Sequence, residues 1–143
     1  MQEDKDKPGP QRLAELREAI RRRAEADREA RRAAETLRVA RLQELPASLW
    51  IVMGRGGDYV VVEDSFCSCP HFTIKVMGGE TVEPCYHLVA VRVAADTGRY
   101  HDLSRTLTPG EVQGIVAEAL YAGRSATLRR RLYGLDRGVE DAT

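Results

Sequence analysis

The chain has 143 residues, among them 22 basic and 22 acidic side chains and three cysteines. This length predicts one domain with an appended helix, and the zero net charge argues against a strong non-specific nucleic-acid binder, which would carry a basic excess. No stretch reaches the roughly 18 apolar residues of a membrane span, and residues 1–10 lack the apolar centre of a secretory signal. A cytoplasmic protein without membrane contact is therefore expected.

The N-terminal third is predicted to be a polar tail followed by one long helix. Residues 1–9 read as a disordered tail and residues 10–46 as a long charged helix. Between Pro10 and Pro46 this run has no Gly or Pro and is dense in Ala, Glu and Arg, which have high helix propensity. Its apolar seam is interrupted at Arg23 and Asp27, which leaves three interpretations: a solvated helix docked by one end, a two-chain coiled coil that forms a homodimer, or a partner-binding helix.

Two β-type runs follow the helix. Residues 49–53 and 58–63 are apolar and rich in β-branched side chains, and the turn Gly54–Gly57 separates them. This pattern predicts a β-hairpin. A phosphate-binding loop is a weaker interpretation of the glycines, because no Lys-Ser or Lys-Thr pair and no helix follow them.

Three further segments are predicted after the hairpin. Residues 73–83 read as a loop or short hairpin. Residues 85–95 lie between a proline and a glycine and are almost wholly apolar, which predicts a buried helix. The segment Thr108–Glu111 matches a capping box with proline at the first helical position, so a helix is expected to about residue 122. Residues 125–133 are predicted to form one more short helix.

All three cysteines fall in one pattern, Cys67-Ser68-Cys69, fifteen residues, then Cys85-Tyr86-His87. Three thiolates and one imidazole complete a tetrahedron with no open position, which is the structural type of zinc site. Residues two apart on an extended chain point to the same side, and the second pair falls in the first turn of the predicted helix. The predicted cofactor is Zn²⁺, held by Cys67, Cys69, Cys85 and His87.

Other interpretations of these residues stay open at this point. The four could fall together by chance, or the Cys-x-Cys pair could be redox-active, although that leaves Cys85 and His87 unexplained. His71 could replace His87 as a ligand, and His101 is expected to be an ordinary residue. No open metal position, paired carboxylates or base-activated nucleophile is apparent, so no enzyme is expected and no catalytic residue is assigned.

The segment from Trp50 to Thr97 resembles a SWIM zinc finger. That family is marked by Cys-x-Cys and then Cys-x-His after a β-hairpin, with the last ligand leading into a helix. The resemblance implies nucleic-acid or protein binding, as in chromatin remodellers, transposase-related and ubiquitin-ligase-like proteins, small archaeal proteins, and a subunit of the Shu recombination complex that pairs with a recombinase paralogue. It therefore implies a non-catalytic interaction module in DNA repair or recombination.

Two kinds of partner are expected. The first is a protein, such as a RecA-like recombinase paralogue, for which this chain would be an adaptor; zero net charge and the long Ala-rich helix favour it. The alternative is direct DNA or RNA binding through arginines of the N-terminal helix, at positions 21–23, 28, 31 and 32, or through a C-terminal cluster without internal acids. These arginines could also be a solvated face. The C-terminal candidates are Arg124, Arg129, Arg130 and Arg131.

The sequence thus predicts an α+β fold with a small zinc-stabilised β-hairpin and helix at its centre. The long helix precedes this centre and further helices follow it. The corresponding boundaries are 47–105 for the zinc-finger domain and 106–143 for a C-terminal helical extension.

Overall fold

The computed structural model describes residues 9–134. Within this part of the chain there are five α-helices, five strands and one π-helical turn, His71–Val76. The helices are α1 (Gly9–Ala24), α2 (Arg28–Glu35), α3 (Tyr86–Thr97), α4 (Pro109–Ala122) and α5 (Ala126–Tyr133). The strands are β1 (Val39–Gln43), β2 (Leu49–Met53), β3 (Asp58–Val62), β4 (Phe66–Cys67) and β5 (His101–Asp102). The predicted tail, apart from Gly9, lies outside the described residues.

The five strands form one sheet in the order β4-β3-β2-β1-β5. Neighbouring strands are antiparallel, except that β1 and β5 run parallel. The predicted hairpin is β2–β3, whose register pairs Ile51 with Val60. The α+β class is thereby confirmed, with a larger sheet than the hairpin alone.

Helices cover both faces of the sheet, because side chains alternate along each strand. On β2, Trp50 and Val52 point into a core shared with α1, α2 and α3. Ile51 and Met53 point into a second core shared with α4 and α5. We call these two sides the metal face and the opposite face. Strands buried on both sides read as continuous apolar runs, which is the pattern of residues 49–53.

The prediction of one long helix over residues 10–46 is wrong. The helix ends at Ala24, and Asp27 starts a new one by accepting a hydrogen bond from the backbone amide of Ala30 at 3.0 Å. Aspartate at this position satisfies an amide that has no partner within the helix. Leu37, with φ of 58°, then turns the chain into β1. The helix propensity of β1 is overridden by its pairing on both sides, with β2 and β5.

The apolar seam of this N-terminal region is buried within its own chain. Leu16, Ile20, Ala30 and Ala34 all lie in the core of the metal face. The region is therefore neither a solvated helix docked by one end nor a continuous coiled-coil strand.

Other elements differ less from expectation. The loop predicted at residues 73–83 is partly ordered, since the π-helical turn occupies its beginning. The capping box at Thr108 is confirmed, with Glu111 accepting from the Thr108 amide at 2.8 Å and the reciprocal bond at 3.1 Å. None of the helices in residues 9–134 has the length and apolar character needed to cross a membrane.

Candidate metal centre

The four predicted ligands come from two places on the metal face. Cys67 ends β4 and Cys69 follows two residues later, just before the π-helical turn. Cys85 is the residue that caps α3, and His87 lies in the first turn of that helix. The edge strand β4 with the two residues after it, and the start of α3, thus present two ligand pairs to one point.

The structure brings these four residues together. Their ligand atoms, three sulfurs and one ring nitrogen, all lie within 4.8 Å of one another. All four residues are buried, with exposures between 0% for Cys67 and 8% for His87. No other group of three or more candidate ligands occurs in the part of the chain that the structure describes. The arrangement can enclose a metal ion completely.

Ser68 fixes the first ligand pair to the sheet. Its backbone amide donates to the carbonyl of Val60 at 2.9 Å, and its hydroxyl accepts from the Val60 amide at 2.9 Å. Both polar groups of β3 at this position are therefore satisfied by the residue between the two cysteines. Ser68 is an addition to the predicted site, and its sequence signal is its place between two ligands.

Backbone amides support the sulfurs. The amide of Phe72 hydrogen-bonds to Cys69, and the amide of Leu88, in the first turn of α3, hydrogen-bonds to Cys85. Amides at a helix N-terminus have no partner within the helix and favour negative charge. Both bonds lower the pKa of the thiol that receives them, which favours the thiolate that a metal requires.

The imidazole of His87 is oriented by aromatic packing. Its ring lies 4.5 Å from the ring of Tyr59 and 4.2 Å from that of Tyr86, measured between centroids. Its Nδ1 atom is buried and has no hydrogen-bond partner among residues 9–134. Such an atom costs about 1–3 kcal/mol when nothing satisfies it. A nitrogen lone pair that binds a metal avoids this cost, so the site fits a bound ion.

The three thiols act on one another as one group. Hydrogen bonds from Cys67 and Cys85 bring the pKa of Cys69 far below its usual value. Hydrogen bonding to Cys69 raises the pKa of Cys67 well above its usual range. A hydrogen bond from Cys67 lowers the pKa of Cys85, but the bond to Cys69 and burial outweigh it and raise the pKa to about 12. A divalent cation at this point would stabilise all three thiolates.

The other histidines lie outside this cluster. His71 is partly exposed, and its Nε2 donates to the carbonyl of Glu83 at 2.9 Å. His101 is in β5 and packs edge-on to Tyr133 at 6.4 Å. The geometry therefore favours His87 over His71 as the fourth ligand.

The C-terminal arginine cluster is largely engaged in contacts within the protein. Arg129 binds the buried carboxylate of Asp58 with two nitrogens, and Arg131 lies 3.3 Å from Glu111. Arg124 donates to the carbonyl of Arg55 at 3.0 Å. Arg130, the fourth member, is exposed. A nucleic-acid role for this cluster stays a prediction, and three of its four side chains join parts of the fold.

Comparisons with known proteins agree with the site. Residues 50–91 match the model of the SWIM zinc finger family. An uncharacterised protein of the archaeon Archaeoglobus fulgidus is 41% identical over 51 residues, which is 36% of this chain and 41% of that protein. The chain thus spans less than half the length of the curated relative it matches. No solved structure gives a significant match. The chain therefore carries a metal-binding module with the donor set of a zinc-type ion.

Proposed function

We propose that the protein is a non-catalytic interaction module built around one structural Zn²⁺. The observation that carries this proposal is the burial of all four ligand residues around one point, with three sulfurs and a nitrogen as donors. Four protein ligands fill a tetrahedral zinc ion and leave no position for a substrate or a reactive water. The ion would hold β4 and α3 together, and a reducing cytoplasm would keep its thiols free of disulfides.

We further propose that the module is an adaptor that binds a protein partner in DNA repair or recombination, of the recombinase-like type. The resemblance to SWIM modules supports this process and this class of partner. An apolar surface offers a contact: Ile74 and Met77 are 62% and 59% exposed on the π-helical turn and at its end. We call these two residues the 74/77 patch.

The 74/77 patch borders an apolar cleft of about 170 Å³. Met77 itself lines this cleft together with Leu13 and Leu16 of α1 and with Phe72 and Val76. Exposed apolar side chains beside a small apolar cleft can seat an aliphatic or aromatic side chain from another protein. The patch lies on the turn that follows the ligand Cys69, so we expect its conformation to depend on the bound metal.

The adaptor proposal is tested by recovering partners from nuclease-treated lysate of the source organism. The tagged wild-type protein is compared with Ile74→Ser/Met77→Ser and with Leu120→Ser, a control that alters an exposed leucine on α4. We expect the wild type and the control to recover a recombinase-like ATPase, and the patch variant to recover at least tenfold less of it. The reason is that truncating a hot-spot contact costs more than about 1.4 kcal/mol of binding free energy. Partners that disappear with nuclease, or that bind the patch variant equally well, would contradict the proposal.

A further inference from the structure

A basic groove lies beside the metal centre, outside the four ligands. It is open, has a volume of about 800 Å³, and runs between α2, the β2–β3 turn, the start of α3 and α5. Its charged lining consists of five arginines and one glutamate: Arg28, Arg32, Arg38, Arg55, Arg129 and Glu29. Because the whole chain has zero net charge, this excess is a property of one surface.

Most of this positive charge is not neutralised by the protein. Arg129 is bound by Asp58. Arg38 donates only to neutral groups, the Thr36 hydroxyl and the Met53 carbonyl, each at 3.2 Å. For Arg28, Arg32 and Arg55, all exposed, no side-chain hydrogen bond or ion pair is found within residues 9–134. Four arginines therefore face the groove with their charge available to a ligand.

Two tyrosines complete the lining. Tyr86 lies between the ligands Cys85 and His87, so the metal centre fixes its position, and Tyr133 ends α5. Unpaired arginines together with aromatic rings match single-stranded nucleic acid, whose phosphates bind guanidinium groups and whose bases stack on aromatic side chains. An acidic peptide would use the arginines but has no need of the rings.

The shape of the site points to a single strand rather than a duplex. Proteins that read a duplex insert a protruding helix or β-ribbon into its major groove. Here the arginines line a concavity formed by a helix face and a turn. We propose that this groove binds single-stranded DNA or RNA, with Arg28, Arg32, Arg38 and Arg55 on the phosphates and Tyr86 and Tyr133 against the bases.

This site joins Arg28 and Arg32, two of the N-terminal arginines that the sequence offered for nucleic-acid binding, to Arg38 and Arg55 from other segments. Of the C-terminal arginines, only Arg129 lines the groove, and Asp58 holds it in place. The proposal goes beyond the adaptor function and does not depend on it, since the 74/77 patch lies on other residues. Either proposal can fail while the other holds.

The test is fluorescence anisotropy of a labelled oligothymidine with the full-length zinc-loaded protein. Four phosphate contacts on a single strand predict that affinity falls about 50-fold between 50 and 200 mM salt. The double variant Arg32→Ala/Arg55→Ala is expected to bind at least tenfold more weakly and to lower the slope of log K against log salt by about 1.4, because two contacts are lost. The matched control, Arg21→Ala/Arg22→Ala, removes the same charge from exposed positions on α1 and is expected to change affinity less than twofold.

Two further probes distinguish the contribution of base stacking to affinity from that of charge. An abasic oligonucleotide has the same backbone without bases, so we expect it to bind about tenfold more weakly than oligothymidine. Tyr133→Leu removes one of the two stacking rings and is expected to reduce that difference. Polyglutamate tests the acidic-peptide alternative. Three results would each overturn the proposal. Polyglutamate could bind as tightly as oligothymidine, the control variant could lose as much affinity for oligothymidine as the groove variant, or oligothymidine could fail to bind at 50 mM salt. Melting curves and zinc content confirm that each variant is folded.

Discussion

The two faces of the sheet are packed in different ways. On the metal face, buried alanines form the close contact between α2 and α3, larger side chains such as Ile20, Trp50 and Leu88 fill the rest of the core, and the four candidate ligands lie beside them. On the opposite face, large side chains such as Leu42, Ile51, Ile115 and Leu128 fill the space between the sheet and α4 and α5. The alanines of the metal face are Ala30, Ala33 and Ala34 on α2 and Ala90 and Ala94 on α3.

The two faces are therefore stabilised in different ways. Hydrophobic stabilisation grows with buried apolar area at about 25 cal/mol per Å², so an alanine interface contributes little per residue but lets two helices approach closely. On the metal face, a bound ion would add to the stability of the apolar core that the larger side chains form. The opposite face depends on side-chain volume and on a polar clamp in which Asp58 accepts from Arg129 and from the amide of Ser125.

Removing a ligand should break the metal face and produce the largest effect. We expect Cys69→Ser to lose its zinc and its cooperative melting transition, because a structural zinc contributes about 10–16 kcal/mol of apparent binding energy and a whole domain is stable by only about 5–15 kcal/mol. Native mass spectrometry reports the bound ion and its identity, and circular dichroism reports the melting transition.

The control for this experiment is His71→Ala, which removes a partly exposed histidine close in sequence to Cys69. It should keep one zinc per chain and melt within a few degrees of the wild type. Retention of zinc by Cys69→Ser, or its loss in His71→Ala, would show that the ligand assignment is wrong.

The clamp on the opposite face can be broken without touching the metal. Arg129→Ala leaves the Asp58 side chain, which has no exposed surface, without its ion-pair partner. Breaking a buried pair in this way costs about 3–5 kcal/mol. Urea unfolding at constant zinc saturation should show this loss, while Arg130→Ala, the exposed neighbour, should change stability by less than about 0.5 kcal/mol. Equal effects in the two variants would mean that the clamp does not stabilise this face.

Sequence reasoning succeeded where the pattern was local. The hairpin, the capping box at Thr108 and α3 each depend on residues within a few positions of one another, and each lies where the pattern placed it. The ligand spacing also predicted that Cys67 and Cys85 share one metal site, and the structure places them in one cluster. Turn residues, caps and ligand pairs carry their physical requirement in the sequence itself.

Sequence reasoning failed where a partner far along the chain decides the outcome. β1 has helix-favouring residues, and its strand conformation is set by β2 and by β5, which begins about sixty positions later. Arg129 was a candidate for phosphate binding because the stretch 124–131 contains no acid, yet Asp58, 71 positions away, contacts it. The groove arginines Arg32 and Arg55 come from separate segments, so their proximity was not visible in the sequence.

The packing contrast between the faces predicts a smaller and more specific effect. Ala33 is fully buried in the core of the metal face, where α2 packs against α3. Ala33→Leu adds volume that this close interface cannot accept, and overpacking of this kind costs about 1–3 kcal/mol. Ala117→Leu makes the same change at an exposed position of α4 and should stay within about 0.5 kcal/mol of the wild type. Urea unfolding of both variants measures the difference. Zinc content should be unchanged, because the substitution leaves all four ligands in place. An Ala33→Leu variant as stable as the wild type would mean that the helices of the metal face are not closely packed.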